Sequence, residues 1–203
     1  MKITKEWLKE KSACMGGFKW FTEQDESDSV KVLEKLKLEQ EWSWFNWLAS
    51  RLMTHPQRVE WSIFCAEQVI DIFEKKFPKD DRPRKAIEAA KDWLKNPTEK
   101  NRKAAAAYAS AYTAAHAAAT SAAAYAADAA DAAATYAAYT AHVDDAADSD
   151  NDGDAAATYA SAAAYAADAA DANANAAARL KMRKICSQKA MEILSRKEIE
   201  VVK

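Results

Sequence analysis

Glycine, proline and cysteine are scarce in this chain. Its 203 residues include three glycines, four prolines and three cysteines. A protein built from sheets and tight turns needs more glycine and proline, since these residues form many of the turns. Cys14, Cys65 and Cys186 are an odd number with no pair close in sequence, unlike the disulfide framework of a small secreted protein. The scarcity therefore favours helices and a reducing cytoplasm.

Long apolar runs and catalytic signatures are also missing. Nothing approaches roughly 18 uninterrupted apolar residues, and Lys2, Lys5 and Glu6 lie where a signal peptide would have its apolar run. No glycine-rich phosphate loop, G-x-S-x-G, H-E-x-x-H or paired cysteine motif occurs. These absences predict a cytoplasmic, non-catalytic protein without a membrane segment, a cofactor or a metal site.

One block of low complexity dominates the second half of the chain. Residues 104–178 contain 42 alanines and all seven tyrosines, but no lysine, arginine, glutamate, tryptophan or phenylalanine. Alanine is the strongest helix former and adds little apolar area, so the block predicts long helices with smooth faces. The segment 121–132 recurs identically at 161–172. We expect a helical hairpin with a break near 135–140.

The charges are divided between this block and its flanks. The formal net charge is -2, but the block has ten aspartates and no cations, which leaves 29 basic and 21 acidic residues in the flanks. Either the two parts pack on each other with complementary fields, or the basic part binds an anionic partner. A third possibility is that both are solvated faces of opposite sign.

The large side chains lie in the first 95 residues, which contain all seven tryptophans and all six phenylalanines. Apolar residues at three- and four-residue spacing predict helices at 29–38, at 41–53, at 57–77 between Pro56 and Pro78, and at 81–94. Residues 96–99 end that helix and start the next, and a further helix continues from the block to Leu194. We predict an all-α protein: a tryptophan-rich core at 1–96, and alanine-rich helices at 97–203 that pack on it and form homo-oligomers.

Basic side chains cluster at the helix boundaries of the middle region. They are Arg51, His55, Arg58, Arg82, Arg84, Lys85, Arg102 and Lys103. Where helix ends meet, arginine forks can hold phosphates while Trp44, Trp47 or Trp61 stacks on a base. The alternative is scattered charges that complement helix C-termini. The candidate ligand-binding residues are Arg51, Arg58, Trp61, Arg82 and Arg84.

Two further patterns lie in the alanine block. Residues 148–154 match the first half of a calcium-binding EF-hand loop, but Tyr159 occupies the position of the bidentate glutamate, so a polar interhelical loop is the alternative. Tyr108, Tyr112, His116 and Thr120 share one row of a helix. That row either faces a ligand or fills grooves against the tryptophan-rich helices.

Six short segments carry a resemblance to a known family. In order they are 13–14, 19–21, 44–48, 58–67, 82–91 and 96–105, the last of which runs into the alanine repeats. Their order resembles the putative immunity protein family of bacteria and their phages, over most of the chain. The acidic insertion at 144–154 departs from the family pattern. The resemblance implies a cytoplasmic protein that binds and neutralises a toxin and, on a phage genome, counters a bacterial defence.

Two functions follow as hypotheses, ahead of a third, a hydrolase acting on a nucleotide signal, for which the sequence shows no base or metal site. The first is a non-catalytic inhibitor that binds a bacterial toxin or defence effector. The second is a sponge that sequesters an anionic nucleotide signal with Arg51, Arg58, Trp61, Arg82 and Arg84. We expect no cofactor, no metal, no membrane and no duplex nucleic acid as a partner.

Overall fold

A computed structural model of the chain describes residues 1–105 and 176–196. Several predictions lie outside these residues: the alanine-rich hairpin and its break, the row from Tyr108 to Thr120, and the acidic loop at 148–154. Within the described ranges the protein is all-α, as predicted. The only strand-like feature there is an isolated bridge between Lys2 and Asp28.

Seven helices have both ends in the described residues, an eighth begins there and a ninth ends there. They are α1 Lys5–Glu10, α2 Met15–Thr22, α3 Ser29–Leu38, α4 Trp42–Leu52, α5 His55–Glu67, α6 Ile70–Lys76, α7 Arg82–Lys95, α8 from 99 to at least 105, and α9 Ala176–Ser195. The helices predicted at 29–38, 41–53 and 81–94 are confirmed to within one residue. The helix start predicted near 99 is also confirmed.

Short side chains fix several helix ends. Asp28 caps α3, because its Oδ1 accepts from the backbone N–H groups of Val30 and Lys31 at 3.1 and 3.2 Å. A capping box starts α5, where the Thr54 N–H donates to Gln57 Oε1 at 2.8 Å. Asn101 closes the end of α7, because its Nδ2 donates to the carbonyl of Asn96 at 2.9 Å. The boundaries therefore follow local polar chemistry.

The single helix predicted over 57–77 is wrong. The chain turns at Gln68 and Val69, and separate helices α5 and α6 lie on either side. Hydrogen bonds from the Gln68 and Val69 N–H groups reach back only three residues, to Cys65 and Ala66. The turn allows Val69, Ile70 and Phe73 all to be buried. Neither glycine nor proline marks this break, so the prediction from apolar spacing extended one helix across it.

The core of the described part forms where α9 meets the amino-terminal helices. Helix α9 packs against α3, α4 and α5, while α5 also packs against α7 and α1 packs against α2. Cys186, Ala190 and Ile193 of α9 are buried among side chains of the earlier helices. The division into segments 1–96 and 97–203 stays a prediction. None of the described helices is both long enough and apolar enough to span a bilayer.

Candidate functional site

Two of the predicted ligand-binding residues lie at the junction of α4 and α5. Arg58 Nη1 donates to the carbonyl oxygens of Met53 at 3.2 Å and Ser50 at 3.4 Å, which satisfies acceptors at the end of α4. The Arg51 guanidinium lies over the ring of Trp47, 4.1 Å from its centroid. This cation–π contact joins residues four apart on one helix. Arg58 therefore joins the start of α5 to the end of α4, while the Arg51 contact with Trp47 lies within α4 beside that junction.

The other two arginines lie at the start of α7. Arg84 forms a bidentate pair with Glu74 of α6, with Nε–Oε1 and Nη2–Oε2 distances of 2.7 Å. Hydrogen bonding to Arg84 lowers the pKa of the Glu74 carboxyl, and the same pair raises the pKa of Arg84. Arg82 pairs with Asp80, with a 2.8 Å bond from Nε to Oδ1, and lowers the pKa of that carboxyl. Both arginines are thus charge-paired within the chain.

Trp61 lies in the core. Its side chain is 0% exposed, and its Nε1 donates to the backbone carbonyl of Cys186 at 2.9 Å. A base could not stack on this ring unless α5 and α9 separated. Arg84 interacts with Glu67 at the end of α5, whereas Arg58 lies nine residues earlier, about 14 Å along the helix axis. The contacts of the five residues therefore divide them among three places, and a shared nucleotide pocket stays a prediction.

A large open groove lies between α3 and α9, and we call it the α3–α9 groove. Its volume is about 1120 Å³. The lining residues come from α3, the start of α4, α5 and α9: Glu34, Lys37, Leu38, Gln40, Trp42, Phe64, Leu180, Lys181, Lys184, Ile185, Gln188, Lys189 and Glu192. The groove thus combines an apolar floor with four lysines and two glutamates.

The lysines of the groove differ in what they contact. Lys37 Nζ donates to Gln188 Oε1 at 2.7 Å and so joins α3 to α9. Lys189 pairs with Glu192 at 3.1 Å and lies 5.5 Å from the centre of the Phe64 ring. Lys181 and Lys184 are exposed, and no carboxylate in the described part of the chain forms an ion pair with either. They are the cations most available to an anionic partner.

An apolar side chain projects beside these lysines. Leu38 at the end of α3 is 81% exposed, although it follows the buried Leu33 and Leu36 on the same helix. The groove was not predicted, because the sequence indicated only that a helix continues from the alanine block to Leu194. The available signal was the run of Lys181, Arg183 and Lys184 directly after a block without cations.

A smaller and more enclosed cavity lies among α1, α2, α3 and α4, and we call it the tryptophan pocket. Its volume is about 320 Å³. Most of its lining is apolar: Ile3, Leu8, Ala13, Gly17, Trp20, Phe21, Val32, Leu36, Trp44, Trp47 and Leu48, with Ser12, Cys14 and Ser43 as the polar groups. None of the described lining residues is charged.

The tryptophan rings of this pocket are held in fixed orientations. Trp20 Nε1 donates to Glu39 Oε2 at 2.7 Å, and the Trp20 and Trp44 ring centroids are 6.2 Å apart with planes at 47°. Trp44 lies so close to α2 that a Cβ on Gly16 would be 3.2 Å from its Cζ2 atom. The Gly16-Gly17 pair and the number of tryptophans were the available sequence signals. Sequence alone does not say that three of these rings surround a cavity.

The three cysteines are free thiols in two environments. Cys14 is exposed beside the tryptophan pocket, and its Sγ accepts from the Gly17 N–H at 3.4 Å. Cys65 and Cys186 are buried. Burial, together with the neighbouring Cys186 thiol, raises the pKa of Cys65 well above its ordinary value. Within residues 1–105 and 176–196, no group of three His, Cys, Asp or Glu side chains could hold a metal ion.

One family model matches this chain. It is described as Imm-5 like putative immunity protein and covers residues 49–188, which is more than half of the sequence. The match includes α5, α7 and most of α9, and with them one wall of the α3–α9 groove. The tryptophan pocket precedes it. No curated protein and no solved structure matches the chain.

Proposed function

Because the chain belongs to the Imm-5 like putative immunity protein family, we propose that it neutralises a toxin or effector protein by binding it, without catalysing a reaction. The family name supports neutralisation of a toxin in general and names no particular target. Where such a protein is encoded by a phage, the corresponding target is a bacterial defence effector. The target is a folded protein that the chain holds in an inactive complex.

The α3–α9 groove is the surface that we assign to this partner. The observation that carries the assignment is the presence of exposed Lys181 and Lys184 beside exposed Leu38, without an ion pair to either lysine in the described residues. Apolar area buried at the centre of an interface supplies affinity, while complementary charge supplies orientation and speed of association. The groove therefore suits an acidic segment of the partner with one apolar face.

The described lining of the groove also carries more positive than negative side chains. Its described lining residues include Lys37, Lys181, Lys184 and Lys189, with Glu34 and Glu192 as the acidic ones. A target whose docking face is basic would be repelled from this surface. The proposal thus specifies a partner whose docking face is acidic.

Co-expression in a bacterial host tests the proposed function. A panel of toxins is expressed with the wild-type chain and with the double variant Lys181→Glu/Lys184→Glu, and growth and complex formation are measured. We expect the wild type to restore growth against at least one toxin, and the double variant to lose that protection. The matched control is Lys75→Glu/Lys79→Glu, which makes the same charge change at exposed lysines that do not line the groove.

The mass of the neutralised toxin separates binding from catalysis. We expect the toxin to leave the denatured complex with its mass unchanged. A covalently altered toxin would contradict the non-catalytic proposal. Equal protection by both double variants would leave the inhibitor function intact. It would also show that the α3–α9 groove is not the surface that binds the toxin.

The nucleotide sponge has weaker support in the structure. Arg82 and Arg84 would have to exchange Asp80 and Glu74 for a ligand, and Trp61 would have to leave the core. Native mass spectrometry distinguishes the two functions, because it weighs protein partners, nucleotides and self-assembly together. A retained mass of nucleotide size, lost on denaturation and absent from Arg58→Glu, would favour the sponge.

A further inference from the structure

The tryptophan pocket is independent of the proposed function. Its lining residues lie between Ile3 and Leu48, whereas the family match begins at residue 49. It also shares no lining residue with the α3–α9 groove. A role for this pocket therefore neither requires nor excludes neutralisation of a protein.

The size of the pocket sets the size of a ligand. Protein interiors contain few voids larger than a water molecule, and this cavity measures about 320 Å³. That volume is at the lower end for small-molecule sites. It is also about twice the volume of an apolar cavity that takes up benzene. A molecule with two fused rings fits this space.

The lining sets the chemistry of that ligand. Trp20, Trp44 and Trp47 are partly buried and present their ring systems to the cavity, and the described lining residues include no charged side chain. Transfer of a charged group to such surroundings would be costly, while a flat apolar ring would gain contact with the indoles. We propose that the tryptophan pocket binds a small, neutral molecule with a flat two-ring aromatic system.

The walls of the pocket are preformed. The hydrogen bond from Trp20 Nε1 to Glu39 at 2.7 Å anchors one ring to the end of α3. A second ring, Trp47, meets Trp7 edge to face, with 6.4 Å between centroids and planes at 77°. Trp44 packs directly on Gly16 and Gly17 of α2. Since these rings are held before any ligand arrives, little conformational entropy is lost on binding.

The serine hydroxyls and the thiol provide the polar part of the lining. Ser12, Cys14 and Ser43 line the cavity and are all exposed, so the cavity reaches solvent where they lie. A hydroxyl or carbonyl substituent on the ligand would remain close to them and to water. Alkylation of Cys14 can be used to follow binding, because the other two cysteines are buried.

The first experiment uses the full wild-type chain and 1-naphthol as the probe. The rate of Cys14 alkylation by iodoacetamide is measured with increasing 1-naphthol, and binding is measured in parallel by calorimetry. We expect saturable protection of Cys14 and a dissociation constant below about 1 mM. Choline is the contrasting probe, because aromatic cages that bind quaternary ammonium groups would take it instead. We expect choline to give no protection.

The second experiment fills the pocket. In Gly17→Leu the new side chain starts beside Trp44 Cδ1 and Cys14 Sγ, which are 3.6 and 3.5 Å from a Cβ at this position, and extends into the cavity. We expect at least about a tenfold loss of 1-naphthol affinity. Gly17→Ala is the matched control, because a methyl group makes only ordinary contacts there, and its affinity should stay within about threefold of wild type.

Each result decides the proposal. Protection of Cys14 by 1-naphthol in the wild type, with loss of binding in Gly17→Leu, supports it. Absence of protection and of calorimetric binding at about 1 mM would overturn it. Protection by choline alone would also overturn it, as would equal affinity of a folded Gly17→Leu variant. Circular dichroism establishes that the variants are folded, and the wild-type protection experiment does not depend on them.

Discussion

Tryptophan has opposite roles at two places in this molecule. Between α5 and α9, Trp61 is 0% exposed and its Nε1 bonds to the Cys186 carbonyl, so the ring is enclosed on every side. In the tryptophan pocket, the rings of Trp20, Trp44 and Trp47 are only partly buried and border a cavity of about 320 Å³. One region is closed by its aromatic residue, and the other is held open by three.

Small side chains account for part of the difference. Helices α5 and α9 carry the small residues Ser62, Cys65, Ala66, Ser187 and Ala190, all buried at or below 1% exposure. Small side chains allow packed helices to lie close together. In the amino-terminal region, Gly16 and Gly17 instead allow Trp44 to lie against α2. Small residues therefore favour close packing in both regions. In one they lie between α5 and α9, and in the other they let the Trp44 ring lie against α2.

The largest effect is expected from truncating the enclosed ring. Trp61→Ala should lower the free energy of unfolding by about 3–5 kcal/mol, because it leaves a cavity and removes the bond to Cys186. Trp44→Ala should cost about half as much, since that ring is already partly solvated. Urea denaturation of both variants measures the difference. Equal losses would break the contrast between the two regions.

The thiols provide the second comparison. In the native protein Cys14 should react with Ellman's reagent at least about a hundredfold faster than Cys65 or Cys186, because those two require opening of the core. Burial also raises the pKa of Cys65 and so lowers its thiolate fraction. We expect one thiol to titrate before urea is added and three afterwards. Rapid reaction of all three in buffer would show that the α5–α9 interface opens readily.

A smaller effect separates the two glycines beside Trp44. Gly17→Ala should raise the free energy of unfolding by up to about 1 kcal/mol, because alanine is the better helix former and its Cβ meets only ordinary contacts. Gly16→Ala should gain less, since its Cβ would lie 3.2 Å from Trp44 Cζ2. Thermal and urea unfolding of both variants test this order. The reverse order would mean that Trp44 moves away from α2 without cost.

The smallest effect is expected at the solvent edge of the α5–α9 interface. Hydrogen bonds from Arg196 and Lys189 lower the pKa of the Glu192 carboxyl. In the unfolded chain this group takes up its proton at a higher pH, so its contribution is present above about pH 4.5 and disappears as the pH falls through the lowered pKa. Glu192→Gln should therefore be less stable than wild type near neutral pH and equally stable in strong acid.

Urea midpoints measured across that pH range test the expectation. Glu88→Gln is the control, because Glu88 is an exposed helical carboxylate without an ion pair among the described residues. This variant measures what the loss of one exposed helical carboxylate does without the hydrogen bonds that Glu192 accepts from Arg196 and Lys189. A constant difference for Glu192→Gln at every pH would mean that the carboxylate contributes nothing through its charge.

Local signals were enough to place most of the helices. The three- and four-residue apolar spacing gave the bounds of α3 and α7 to within one residue, and the structure adds Asp28 as the cap of α3 and Pro83 in the first turn of α7. The turn between α5 and α6 was missed, because it is stabilised by the burial of Val69 and Ile70 in tertiary packing. Burial of that kind depends on helices that lie far away in the sequence.

The candidate sites were less predictable for the same reason. The stacking of Arg51 on Trp47 joins residues four positions apart on one helix, so it could have been predicted from the spacing. The pairing of Arg82 with Asp80 could not, because residues two positions apart do not share a helix face. The α3–α9 groove could not be predicted from residue spacing, because its walls are separated by more than a hundred residues in the chain. Predicting the tryptophan pocket would have required the relative placement of four short helices.

The bond between Trp61 and Cys186 also has a consequence for synthesis of the protein. Its two residues are 125 positions apart, and at 5–20 residues per second the ribosome needs about 6 to 25 seconds to make the intervening chain. Throughout that interval α5 exists without the helix that covers its inner face. The first seven helices of the nascent protein are therefore made while its core is still incomplete. The final folding step must wait until α9 has been synthesised.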